Sequence, residues 1–294
     1  PNKDRRIADE YKALTLRFEG RYGLEFRVYN QGVAYRFITS FDGMVNVTNE
    51  RMDLSFPARS ISWFPQEKSM YSHYERAYLV KSPDTITSSE FCSLPVLFST
   101  PDSVRILFTE ADLFDYPGMF LRGSGSSVLK AAFPKYILET KPALKGPDRK
   151  EIIAREADYI ARTEGNRNYP WRVFVISDDD RALVESNLVF QLSRPQAIEN
   201  TEWIKPGKVA WDWYNANNLA GVGFKTGINT ETYKYYIDFA SRFGLEYVIM
   251  DEGWSKSTTN VMESNPEINI PELVAYGNSK NVGIILWLLW KPLD

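Results

Sequence analysis

Asp212, Asp251 and Glu252 stand among tryptophans near the C-terminal end of this chain, in the runs VAWDWYN (209–215) and EYVIMDEGW (246–254). A third apolar run, VGIILWLLW (282–290), follows them. An ionised carboxylate can accept hydrogen bonds from two neighbouring sugar hydroxyls, and an indole offers flat apolar area to the C–H face of a pyranose ring. Acids and tryptophans gathered at two successive strand ends therefore point to carbohydrate. Each residue taken alone has a plainer reading. Asp251 can cap the loop that follows it, Glu252 can pair with Lys256, and the indoles can be core.

Other chemistry is scarce. His73 is the single histidine, which speaks against a histidine metal site and a Ser-His-Asp triad. Cys92 is the single cysteine, so no internal disulfide can form. The glycine-rich GSGSS lacks the strand before and helix after that a phosphate loop requires. In PQEKSMYSHYERAY (65–78), Glu67 and Glu75 stand in a loop beside tyrosines; a carboxylate there is ordinarily surface, and otherwise a hard-cation ligand. The 294 residues are 44% hydrophobic and 25% charged with a net charge of −3, an ordinary globular balance without a nucleic-acid footprint. No apolar run approaches the roughly 20 residues of a membrane span.

The elements that must position the acids fall into two textures. Residues 1–200 read as a β-sandwich domain. KALTLRFEG, GLEFRVYN and GVAYRFIT alternate apolar and polar residues, and ISWFP, YERAYLV, LPVLFST, VRILFTEADL, AFPKYILET and WRVFVISD continue the pattern. One helix is expected at RALVESNLVFQL, capped by Asp180. Residues 201–294 read as the start of a (β/α)8 TIM barrel, with strands at KVAWDWYN, LEYVIMD and VGIILWLLW. Between them, Asn229 or Thr230 caps a helix that stops at Gly244, and a second helix carries Pro271 in its first turn. Three strands and two helices fit, whereas a whole barrel takes about 250 residues, so the chain reads as a piece of a longer polypeptide.

The order of these parts resembles glycoside hydrolase family 97: LRFEG through WFP…YERAY and TEADLFDYPGMFL to PWRVFVISDD, then KVAWDWYN and INTETYKYYIDFASRFGLEYVIMDEGW. The resemblance spans essentially the whole chain. It implies an exo-acting α-glycosidase that uses Ca²⁺ and is exported, typically to the periplasm. It also implies that Glu75, better placed than Glu67 after the Trp-x-Pro segment, is a calcium ligand facing the barrel's strand ends. Inverting members carry a His-His-Glu base beyond the third strand, where this chain reads Leu289-Trp290-Lys291. The resemblance is thus to the retaining branch, with α-galactosidase favoured. Nucleophile and acid/base would then lie past residue 294, and residues 1–294 alone would be inactive. Trp211, Asp212, Asp251, Glu252, Trp254 and Trp290 would hold the substrate, an oligosaccharide or other α-glycoside. An α-glucosidase and a non-catalytic carbohydrate-binding protein stay open as alternatives.

Overall fold

Three alternating segments form the start of the largest sheet: Lys12–Phe18, Tyr22–Tyr29 and Gly32–Val47 pair antiparallel in sequence order. The computed structural model describes residues 7–143 and 151–290. The chain divides into two compact units, the first Pro1–Lys141 with Ile152–Gln196, the second Ala197–Asp294 with Pro142–Glu151.

In the first unit the sheet continues from Gly32–Val47 through Trp171–Ser177, Arg105–Ala111, Val96–Ser99 and Ile61–Phe64 to Leu79–Lys81, while Ala161–Asn168 pairs with Gly32–Val47. A smaller antiparallel sheet orders Asp53–Ser55, Val128–Ala132, Phe120–Arg122 and Phe91–Cys92. Phe64, Val96, Phe98 and Phe108 of the large sheet share a buried cluster with Cys92, Leu121 and Leu129 of the small one. This is the expected sandwich, with one residue of every two turned inward.

Strand Trp171–Ser177 is buried on both faces. Phe174 packs on the inter-sheet cluster, while Val173 and Val175 join Leu188 and Leu192 on the other side. That packing divides the run expected as one helix. It forms two short helices, Asp180–Glu185 and Leu188–Leu192, because the chain must turn at Ser186 and Asn187 to bury both leucines. The cap is Asp179 rather than Asp180: its carboxylate accepts the Arg181 amide at 3.0 Å. Of YERAYLV, only Leu79 and Val80 are strand, within Leu79–Lys81.

In the second unit Val209–Trp211, Tyr247–Met250 and Gly283–Leu286 make a parallel sheet with the middle strand central. Helices Thr230–Phe243 and Ile270–Ser279 connect them. Asn229 caps the first through the Thr232 amide, and Gly244 ends it at φ 65°. Tyr233, Tyr236, Ile237 and Ala240, at helical spacing, enter a core with Ala210, Val248, Met250 and Leu273. The strands are shorter than the apolar runs that announce them. Asp212–Asn215 is a 3₁₀ turn, and residues 287–290 lie past the third strand.

Candidate functional site

All three strand ends of the second unit point their chemistry the same way along the chain, as parallel pairing requires. Val209–Trp211 and Tyr247–Met250 run in register, Trp211 opposite Ile249, so Asp212 and Asp251 follow adjacent strand ends. The two are linked through the Asp251 backbone. Asp251 donates its backbone N–H to both carboxylate oxygens of Asp212, at 3.3 and 3.4 Å. Trp211 donates its indole Nε1–H to Asp251 Oδ2 at 2.7 Å, and the Glu252 amide donates to Asp251 Oδ1 at 2.6 Å. Each carboxylate oxygen of Asp251 thus keeps one lone pair, enough to accept from two adjacent hydroxyls.

Asp212 is placed differently. It is 1% exposed, and its Oδ2 accepts the Tyr233 hydroxyl from the following helix. Burial raises its pKa, with the nearby Asp251 charge adding to the rise, against the hydrogen bonds from Tyr233 and the Asp251 amide. Tyr236, one turn further along the same helix, donates to Asn215 Oδ1. The helix therefore finishes the polar groups of the turn.

Trp254 is also internal. It is 6% exposed and gives its indole N–H to the Trp287 carbonyl at 2.8 Å, tying the second strand end to the third. Asp212 and Trp254, read from the sequence as substrate contacts, are buried and internally satisfied because their polar atoms close contacts between strand ends. Trp213, Tyr214 and Trp290 are exposed at 65%, 77% and 81%. Trp211 lies against Trp213 and Tyr214, with ring centroids 5.8 and 5.1 Å away. Glu252 is exposed, while Lys256 pairs with Glu263 at 2.7 Å. The cleft bounded by Glu252, Trp254, Trp287 and Leu289 holds about 10 Å³, whereas ligand sites begin near about 300 Å³. These residues form a wall.

The two loop glutamates of the first unit part company. Glu67 is 3% exposed and accepts from Arg76 Nε at 3.2 Å and Ser93 Oγ at 3.4 Å. The Glu75 side chain is 84% exposed. His73 Nδ1 lies 3.4 Å from its carboxylate but already accepts the Glu75 amide at 3.0 Å. That nitrogen has no proton left to offer, so the hydrogen bond, rather than an ion pair, describes the contact. Glu75 fits as one hard-oxygen donor. Among the described residues no group of three or more His, Cys, Asp or Glu could hold a metal, so a complete site does not assemble from them.

Sequence reading missed a cavity of about 650 Å³ in the first unit, where arginines line strands far apart in sequence. Its guanidinium groups are largely matched: Arg27 and Arg36 share Glu25, and Arg194 meets Asp112. It also missed the hairpin of Ser255–Ser257 with Asn260–Ser264, too polar and short to show an apolar period. Lys291, which belongs to the comparison with the inverting branch, lies outside the described residues.

The chain thus places a β-sandwich before parallel strands whose ends carry the linked acids. Two family models match: Glycosyl-hydrolase 97 N-terminal over residues 1–195 and Glycoside hydrolase 97 over 211–294. The chain belongs to glycoside hydrolase family 97. It is 39% identical over 296 aligned positions to a retaining alpha-galactosidase of Bacteroides thetaiotaomicron, covering 96% of this chain and 44% of that protein. It is 27% identical to a probable retaining alpha-galactosidase of Streptomyces bingchenggensis, covering 95% of this chain and 40% of that protein. The chain thus spans less than half the length of these relatives. Among solved structures, a family 97 enzyme from Pseudoalteromonas sp. strain K8 in complex with acarbose superposes with a TM-score of 0.71 at 20% identity, over 94% of this chain and 44% of that one. A beta-arabinopyranosidase gives the same TM-score at 23% identity, over 94% and 42%. These two establish the shared fold.

Proposed function

We propose that the chain is the sandwich and sugar-binding wall of an exo-acting retaining α-galactosidase. The observation that carries this is the Asp251 carboxylate, held at a strand end by Trp211 and the Glu252 amide with a lone pair left on each oxygen. The 39% identity to a retaining alpha-galactosidase supports the choice of sugar and stereochemistry.

In this reading Asp251 and Glu252 accept hydroxyls of the non-reducing sugar and fix the ring while positive charge develops at the anomeric carbon. Binding energy is thereby spent on orientation. Trp211, Trp213 and Tyr214 give apolar area to the ring's C–H face or to the leaving group. Retention needs two carboxyl groups about 5–5.5 Å apart, one attacking and one changing from acid to base. No residue of 1–294 is proposed for either role. Where calcium is bound, Glu75 would supply it with one hard carboxylate oxygen. Export to the periplasm rests on the family resemblance and is checked by cell fractionation.

The test is the full-length protein acting on nitrophenyl α-galactoside and α-glucoside, with the first-formed sugar followed by NMR. The α-anomer of galactose is expected first. Release of the β-anomer would overturn retention, and a preference for the glucoside would overturn the choice of sugar.

A further inference from the structure

We propose that Asp212 is a positioning residue which, with its neighbour Trp211, clamps Asp251 from both sides of its Cα. The inference deepens the reading of the site as a sugar-binding wall and rests on that reading for its kinetic arm only. Two adjacent residues of one strand end hold one residue of the next. Trp211 grips the side chain at Oδ2, and Asp212 grips the backbone N–H. A side-chain contact alone leaves the peptide plane free to rotate, and a backbone contact alone leaves χ1 free. The two together fix both.

The clamp is itself anchored. Asp212 is 1% exposed, so its orientation is set by packing and by the Tyr233 hydroxyl. Tyr233 is fully buried in the helix that packs beneath the strands. A carboxylate among these apolar neighbours is costly unless its acceptors are used, and here Tyr233 and the Asp251 amide use them. The arrangement aims both oxygens at groups that set where Asp251 stands. Asp212 touches no open surface from which it could reach a sugar, so it acts through Asp251.

The experiment uses the full-length protein with Asp212→Asn, Asp251→Asn, the double variant and Tyr233→Phe. Hydrogen exchange of the segment around Asp251 is followed by mass spectrometry, and kcat/KM is measured on the aryl galactoside. In Asp212→Asn and Tyr233→Phe, exchange at 250–252 is expected to rise more than exchange elsewhere in the chain, beyond any fall in melting temperature from the lost buried hydrogen bond. Asp212→Asn is expected to lower kcat/KM about 10- to 100-fold in the wild-type background, as for a group displaced by a fraction of an ångström. In the Asp251→Asn background it is expected to cost less than about twofold, because the two act as one unit. Unchanged exchange, or an Asp212→Asn penalty that persists in full without Asp251, would overturn the clamp. If the protein turns over no glycoside, the functional reading fails while the exchange data still decide the clamp.

Discussion

Arg172 meets Glu50 as a two-pronged fork: Nε donates to Oε1 at 2.8 Å and Nη2 to Oε2 at 2.6 Å, with Arg172 1% exposed. Nη1 reaches Glu110, and Tyr116 donates to Glu50 at 3.1 Å. One cation thus joins two carboxylates inside the sandwich. Arg172→Met strands both, and the loss is expected at about 3–5 kcal/mol, the usual penalty for breaking one half of a buried pair. Replacing all three charged groups with apolar side chains is expected to recover most of it. Urea unfolding of the three chains checks both statements.

Lys81, the Thr87 amide and the Thr87 hydroxyl all hydrogen-bond Glu90 and pull its pKa from 4.5 down to about 2. The folded value lies below the unfolded one, so the stabilisation is complete above about 4.5 and is lost as pH falls toward about 2. Glu90→Gln should melt earlier than wild type at pH 7. The gap should narrow from about pH 4.5 and close only as pH falls to about 2 in thermal scans; a gap that stays constant would contradict the assignment.

Gly253 separates the site acids from Trp254 at φ 114°, where a side chain is strained, and an added Cβ would stand 2.5 Å from Ile228 Cδ1. The isoleucine tip can yield; the backbone cannot. Gly253→Ala is expected to cost about 1–2 kcal/mol in stability. It should raise KM for the sugar more than it lowers the melting temperature suggests, because Glu252 shifts with the strained peptide. Kinetics and calorimetry on the same preparation separate the two.

For the proposed calcium contact, Glu75→Gln in the full-length protein should weaken calcium binding by isothermal titration. The melting temperature in chelator should stay unchanged, since the side chain is 84% exposed. Unaltered calcium affinity would remove Glu75 from the ligand set.

The parts of this structure that were legible in the sequence are those with local causes. Asn229, the helical spacing of Tyr233, Tyr236 and Ile237, and Gly244 announced the first helix because capping and amphipathicity act within a few turns. The parallel strands were legible as continuous apolar runs, although among the described residues it is alternate positions such as Val248 and Met250 that reach the core, and Ile285 is exposed. What was hidden depends on long-range closure. Glu50 and Arg172 lie 122 residues apart, so nothing local marks either as buried. Asp212 and Trp254 looked like substrate contacts because acids and indoles at strand ends carry that chemistry; their burial followed from Tyr233 and the Trp287 carbonyl. The split helix at 180–192 went unseen because the demand to bury Leu188 and Leu192 comes from strand Trp171–Ser177.

The turn after the first parallel strand is completed from elsewhere: Tyr233 and Tyr236 close the hydrogen bonds of Asp212 and Asn215. A loop of this kind is not portable. Grafting residues 209–215 onto another barrel would transplant a buried acid without its phenol. The smallest piece that keeps these contacts together, for recombination or for a protein engineer, runs from Val209 through the helix to Asp251 on the next strand end.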